Sequence, residues 1–298
     1  MKTDYLLRSL LFVPGHNEKL MNSATKSDAD VLLLDLEDSV QPKTNKQSAR
    51  DTIISFVNEK RFSNHYIFPR INDRESGELL KDVDQLTIDG VHGFMYPKSK
   101  TGEDVYFIDK LLETIEYEKE FPIGTFKLIP LIETSSAVLH TEEICKASER
   151  VIAVAFGSED FIGDLEGIHD KESESLFNPR ALIAMGARAS NVVPIDTVHI
   201  RVHDLEDLEK NVITAKNLGF EGMLCLHPKE LELVHKYYSP TEEEVKHARD
   251  VLELNKQAEK EGRGVAIIDG KFIGPPILIS ARKTLQKHDL ILKKNNNG

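Results

Sequence analysis

Lys127-Leu-Ile-Pro-Leu-Ile-Glu-Thr134 and, further on, Val151-Ile-Ala-Val-Ala-Phe-Gly-Ser-Glu-Asp160 are the stretches that decide how this chain is read. Each is a nearly unbroken apolar run that stops abruptly in acid. A strand buried on both faces needs such a run, and strands of that kind belong to parallel sheets. Working outward, similar runs recur at 10–13, 31–36, 65–71 and 93–96 on one side and at 197–200 and 222–226 on the other. Amphipathic stretches lie between them, among them 103–119, 137–148 and 205–218. Strands alternating with helices give βαβ units. Eight such units predict a (β/α)8 TIM barrel, an α/β architecture that needs about 250 residues. A doubly wound open sheet is the alternative.

The barrel is expected to occupy 1–238. A C-terminal helix-hairpin-helix extension is expected over 239–290, with a lid over a neighbouring subunit as one role for it, and a disordered polar tail is expected over 291–298. Thr241 followed by Glu242, Glu243 and Glu244 has the form of a helix start. That helix would run to about 261 and break at Gly262-Arg-Gly264. A hairpin turning at Asp269-Gly270 and a final helix over 277–286 would follow.

The chain carries 50 acidic and 38 basic residues, for a net charge of −12. Such a surface repels nucleic acid and anionic membranes, so neither is expected as a partner. No stretch approaches the ~20 apolar residues of a membrane span. The apolar stretch at 6–13 is broken by Arg8 and Ser9 and reads as a first strand rather than a signal peptide. Cys145 and Cys225 offer neither metal-ligand spacing nor a disulfide framework. The expectation is a cytoplasmic protein.

In a barrel, functional groups collect past the C-terminal ends of the strands. Those positions hold Glu37-Asp38, Arg70, Pro97-Lys98, Glu133-Thr134, Ser158-Glu-Asp160 and His227-Pro-Lys229. Glu133 and Asp160 follow consecutive strands, which lie ~4.8 Å apart. Two carboxylates so placed can share one hard cation, or can simply cap helix N-termini. Glu37 and Asp38 either orient metal-bound waters or are ordinary strand-end polar groups. Arg70 either grips an anion with its planar fork or pairs with Glu37 or Asp38. Lys19, one turn beyond the first strand, either meets a phosphate or is solvated. Ser158 lacks the following glycine of a nucleophile elbow, and no Walker or dinucleotide loop is present. His199, His203 and His227 have no zinc-site spacing.

Further motifs run from about residue 8 to 286: Arg8-Ser-Leu-Leu-Phe-Val-Pro-Gly15, Leu34-Asp-Leu-Glu-Asp-Ser39, Pro69-Arg-Ile-Asn72, Pro130-Leu-Ile-Glu-Thr134, Phe156-Gly-Ser-Glu-Asp-Phe161, Leu218-Gly-Phe-Glu-Gly222 and Tyr238-Ser-Pro-Thr241. In this order and spacing the chain resembles the citrate lyase β-subunit-like proteins of the HpcH/HpaI aldolase/citrate lyase superfamily, whose members include malyl-CoA and citramalyl-CoA lyases. The resemblance implies a homo-oligomeric barrel, usually a trimer, in some members part of a larger lyase complex. It implies Mg²⁺ on Glu133 and Asp160, with Arg70 gripping substrate and Glu37 and Asp38 at the catalytic rim. It implies that Phe12, Lys19 and the loop with Pro228 and Lys229 hold the arm of an acyl-CoA or acyl-carrier thioester. The implied chemistry is reversible carbon–carbon cleavage of a β-hydroxyacyl thioester; thioester hydrolysis and a pyruvate-type aldol cleavage are alternatives.

Three positions depart from the family pattern. Gly274 stands where relatives carry an acid/base Asp, and Asp269, five residues earlier, does not replace it. That implies slower turnover or a binding subunit. Arg201 stands where relatives often have Asp, which would add positive charge near the rim. Ser23 replaces a second Lys found in some coenzyme A-binding relatives.

Overall fold

Apolar residues at every position leave a strand no face for water, and the central strands here are buried nearly throughout. They are β1 (Ser9–Pro14), β2 (Val31–Asp35), β3 (Tyr66–Ile67), β4 (Gly93–Tyr96), β5 (Lys127–Ile132), β6 (Ala153–Phe156), β7 (Val193–Asp196) and β8 (Gly222–Cys225). The computed structural model describes residues 4–168, 174–261, 266–268 and 271–297. All eight strands pair in parallel, in the order β3-β2-β1-β8-β7-β6-β5-β4. The ring closes just past β3. Arg70 bridges in parallel to Asp35 on one side and to Met95 on the other, and the Ile71 N–H donates to the Met95 carbonyl at 3.2 Å. The expected (β/α)8 barrel is thus the observed fold.

Alternation along each strand sorts the side chains into two layers. Leu10, Leu33, Phe68, Met95, Ile129 and Leu224 belong to a compact inner cluster. Leu11, Leu34, Phe94, Leu128 and Phe156 belong to a larger layer against the helices. At the start of β8 the backbones approach so closely that a Cβ on Gly222 would lie 1.9 Å from the Leu7 carbonyl oxygen. Only glycine fits there.

Several boundaries differ from the sequence reading. The seventh strand is Val193–Asp196, and 197–200 form the loop beyond it. Pro194 lies inside that strand, and a residue without an N–H argues against a central strand. Pro69 likewise interrupts the third run, leaving a two-residue strand and the Arg70 bridge. The stretch 137–148 forms two short helices, Ser135–Leu139 and Thr141–Lys146.

In the extension, Glu242–Lys260 is the first helix, capped by Thr241. β9 (Ala266–Ile268) and β10 (Lys271–Ile273) pair antiparallel. The Asp269-Gly270 turn and the break at Gly262, Arg263 and Gly264 lie outside the described residues. The last helix is Pro275–Asn297, so 291–297 are helical rather than a disordered tail. Ala248 and Val251 pack with Ile273 and Ala281 in a small core of their own. No helix among the described residues is long and apolar enough to cross a membrane.

The last helix is pinned to the barrel at the end where the strands begin. Lys294 Nζ donates to the carbonyls of Asp28 and Ala29 at 2.7 and 2.6 Å and lies 2.9 Å from Asp30 Oδ1. Arg8 grips the same Asp30 through Nε and Nη2 at 2.9 and 2.8 Å. Lys287 Nζ reaches the Glu221 carbonyl at 3.2 Å, just before β8. Asp30 has almost no access to water, so a pair of cations compensates a charge that burial alone would not tolerate.

His235 sits in this network, with Nε2 2.8 Å from Ser9 Oγ and 3.9 Å from Asp30 Oδ1. Burial pushes its imidazole down to about 4, although Asp30 pulls it upward. It is therefore neutral at pH 7, and its contact with Asp30 is not an ion pair. The unfolded chain takes up this proton near pH 6.5, before the folded one does. The associated stability is complete above about pH 6.5 and is lost as pH falls toward 4. His235→Gln should accordingly lose less stability than the parent between pH 7 and pH 4.5, by about 2 kcal/mol in denaturant melts. Identical losses would show that His235 protonates in the folded state without cost.

Candidate active site

Past the strand ends, residues far apart in sequence share one rim. Asp35 closes β2, and Glu37 and Asp38 follow in the next turn. Arg70 stands at the closure point, Lys98 two residues after β4, and Glu133 directly after β5. Asp160 lies in the first turn of the helix Ser158–Asp164 after β6. Phe12, Asp38, Arg70, Glu133, Asp160 and Pro228 all line one cavity of about 820 Å³.

The Arg70 guanidinium is held on several sides. Its Nε and Nη2 donate to the two Asp35 oxygens at 2.7 and 2.9 Å. Its Nη1 lies 3.0 Å from Glu37 Oε2 and 3.2 Å from Asp38 Oδ2. The Phe12 ring covers one face, with its centroid 4.9 Å from Cζ. Asp35 is oriented in turn by the N–H groups of Glu37 and Ser39, at 2.9 and 3.0 Å. Burial works against both charges. The fork-to-carboxylate pairing outweighs it, lowering the Asp35 pKa and raising that of Arg70.

Glu133 is in a different condition. It is 1% exposed and accepts a hydrogen bond from the main-chain N–H of Lys98. Burial nonetheless pushes its carboxyl up to about 8, and the charges of Glu37 and Asp160 add to the rise. Gly157 makes room for it: a Cβ there would lie 2.8 Å from Glu133 Cβ and 3.1 Å from Oε2. Glu37 is also pushed up by burial, against Arg70. Its Oε1 meets Lys98 Nζ at 2.9 Å. Its Oε2, close to Arg70, is angled so that no hydrogen bond forms.

With Asp35 committed to Arg70, the rim holds Glu37, Asp38, Glu133 and Asp160 as further acids. A buried carboxyl forced toward its neutral form, as at Glu133, is what a divalent cation would relieve. Oxygen donors of this kind suit Mg²⁺. Among the described residues, no three His, Cys, Asp or Glu side chains converge into a closed metal cage. Glu133 and Asp160 would thus leave most positions of an octahedron to water or substrate oxygens.

Other expected residues lie further out. Lys19 is exposed on the helix Glu18–Ala24, which turns Leu20, Ser23 and Ala24 toward the cavity. Lys229 is exposed in the turn after β8, while His227 and Pro228 line the wall. Arg201 pairs with Asp207 and does not add charge to the cavity; Ile200 lines it instead. Its loop begins after β7, so Arg201 stands five residues past the strand end. Gly274 follows β10 in the extension and is not among the residues lining the cavity.

Some residues escaped the sequence reading. Asp35 looked like the tail of an apolar run, although an acid closing such a run is itself a signal. Lys98 was visible at a strand end, but nothing in its surroundings assigned it a role. Thr197 donates to Ser158 Oγ at 2.7 Å and accepts from Ser158 N at 3.1 Å. These bonds secure the turn that carries Asp160.

A family model described as HpcH/HpaI aldolase/citrate lyase matches residues 8–228. The chain is 31% identical to citrate lyase subunit beta of Escherichia coli (strain K12) over 283 residues, covering 95% of this chain and 93% of the relative. It is 30% identical to L-malyl-CoA/beta-methylmalyl-CoA lyase of Rhodobacter capsulatus over 291 residues, 90% of each chain. Among solved structures, protein CitE from Mycobacterium tuberculosis in complex with magnesium, acetoacetate and coenzyme A matches with a TM-score of 0.70. Identity there is 25%, and the match covers 96% of this chain and 100% of that one.

Glu133→Gln tests the state of the buried carboxyl. A raised carboxyl costs stability as pH climbs from about 4.5 to about 8, because the unfolded chain releases its proton first. Without a divalent cation, the variant should melt at pH 8 at the same temperature as the parent or higher. A fall of several degrees would show that the fold already compensates the ionised form.

Proposed function

The chain belongs to the HpcH/HpaI aldolase/citrate lyase family and is a carbon–carbon lyase, and from that premise we propose that it is Mg²⁺-dependent and cleaves, or in reverse condenses, a β-hydroxyacyl thioester of the citryl-, malyl- or citramalyl-CoA kind. The products would be a keto acid and an acyl thioester. The observation that carries this reading is one cavity lined by a pre-oriented guanidinium and two strand-end carboxylates, Glu133 and Asp160. The names of the relatives and the magnesium, acetoacetate and coenzyme A in the CitE complex support it.

Glu133 and Asp160 would hold Mg²⁺, which when bound supplies a Lewis acid for the carboxylate and hydroxyl oxygens of the substrate. In the cleavage direction the hydroxyl loses its proton and becomes the carbonyl of the keto acid. The bond to the thioester α-carbon breaks, and its electron pair passes into the thioester as an enolate. A proton then returns to that carbon. Arg70 is our candidate to stabilise the negative charge, since Asp35 has fixed its fork in advance and little reorganisation is needed. Glu37 and Asp38 are our candidates to take the hydroxyl proton, Glu37 because one of its oxygens lacks a hydrogen bond. Phe12 and Pro228 would wall the thioester arm, with Lys19 and Lys229 at the mouth to meet its phosphates.

We take the protein to act in the cytoplasm as a homo-oligomer, a trimer on family grounds, alone or within a larger lyase complex. Cys145 and Cys225 are both buried and form no disulfide, which suits a reducing compartment. Gly274 favours a second reading, a thioester-binding subunit with impaired turnover, because it stands where the family's acid/base Asp is expected.

The test is keto-acid release from citryl-, malyl- and citramalyl-CoA with Mg²⁺ present. Activity should vanish with chelator, and Arg70→Met should lower kcat/KM by roughly 10²–10³. Folded protein that releases no keto acid from any of them would overturn the lyase reading for these substrates. Activity that appears only in Gly274→Asp would support the second reading, and free coenzyme A without keto acid would indicate hydrolysis.

A further inference from the structure

Lys98 adopts a backbone conformation that lysine does not favour. Its φ of +53° lies in the left-handed region, where a Cβ is crowded by the neighbouring carbonyl. Strain of this kind persists where the surroundings hold it in place, and such places cluster at functional sites. Here both ends of the residue are engaged. The main-chain N–H donates to Glu133. The ammonium lies 2.9 Å from Glu37 Oε1 and 2.8 Å from Asp73 Oδ2. One residue thus ties together the loops after β2, β3 and β5 from its own place after β4.

The consequence falls on Glu37. Its two oxygens face opposite cations, Lys98 Nζ at 2.9 Å and Arg70 Nη1 at 3.0 Å. Its charge is near enough to Glu133 to act on that carboxyl. A hard cation accepts any carboxylate oxygen that can reach it. A catalytic metal site, in contrast, must keep positions open for substrate. A third carboxylate released beside Glu133 and Asp160 would fill such a position.

We propose that Lys98 is a positioning residue that straps Glu37 away from the cation and so keeps the Glu133–Asp160 pair an open site. The proposal rests on reading that pair as the Mg²⁺ site. It makes a prediction of opposed sign. Freeing Glu37 improves cation binding and harms catalysis, whereas a merely structural lysine would damage both together.

Lys98→Met keeps the chain length and the main-chain N–H while removing the ammonium. Calorimetric titration with Mg²⁺ alone should show binding about tenfold tighter than in the parent. The gain should persist in about 0.5 M salt, where a simple field effect is screened. In the same variant, kcat for keto-acid release should fall at least about tenfold. Lys98→Arg should return both quantities toward the parent. Adding Glu37→Gln to Lys98→Met should abolish the extra Mg²⁺ affinity. Lys98→Gln provides the same comparison if the methionine variant does not fold. Mg²⁺ binding no tighter than the parent in these neutral variants overturns the proposal, while parental turnover with Mg²⁺ leaves the functional reading intact. A parent chain that binds no Mg²⁺ at all overturns the cation site, and this inference with it.

Discussion

The pairing of Arg70 with Asp35 is the constraint on which the architecture and the site both depend. The two residues face each other as a main-chain bridge at the point where the ring of strands closes. Their side chains repeat the pairing through two hydrogen bonds of 2.7 and 2.9 Å. Asp35 is 3% exposed, so removing its partner would strand a buried charge, a change that typically costs 3–5 kcal/mol. At this position the closure of the barrel and the orientation of the rim's guanidinium are one arrangement. The guanidinium is held because the ring is closed, and the ring closes around a polar residue because that residue is paired.

Against this compensated pair stands a set of acids that the protein leaves undercompensated. Glu133 receives one main-chain N–H and burial, and Glu37 has an oxygen facing a cation at an angle that makes no hydrogen bond. A chain with a net charge of −12 is a poor host for an anionic substrate unless the local field changes sign. The rim meets that difficulty with fixed cations at Arg70 and Lys98 and, on the function proposed above, with oxygen donors for a further, exchangeable one.

Much of this was legible in the order of residues, for a definable reason. β5 and β6 are unbroken apolar runs, so their ends are sharp, and Glu133 and Asp160 stand out beyond them. Arg70 was legible as a cation among acids, although its main partner was not, since Asp35 merges into the run before it. The errors came where a local signal was overruled by tertiary context. Pro194 reads as a breaker, yet it lies in a strand whose partners accept it. The Asn-rich end reads as a loose tail, yet Lys294 draws the helix onto the free carbonyls of Asp28 and Ala29. The role proposed for Lys98 depends on a positive φ, and lysine carries no compositional signature for that conformation.

The docking of the last helix at the far end of the barrel separates two kinds of evolutionary pressure. Lys287 and Lys294 secure the floor, where Asp30 and Glu221 directly precede β2 and β8, while the loops that shape the cavity lie a full barrel length away. Substitutions at Val198, Ile200 and Leu226, in the loops directly after β7 and β8, can therefore remodel what the mouth admits without touching the floor's ion pairs. A lineage built this way can diversify its substrates by drift at one pole while the other keeps the molecule folded.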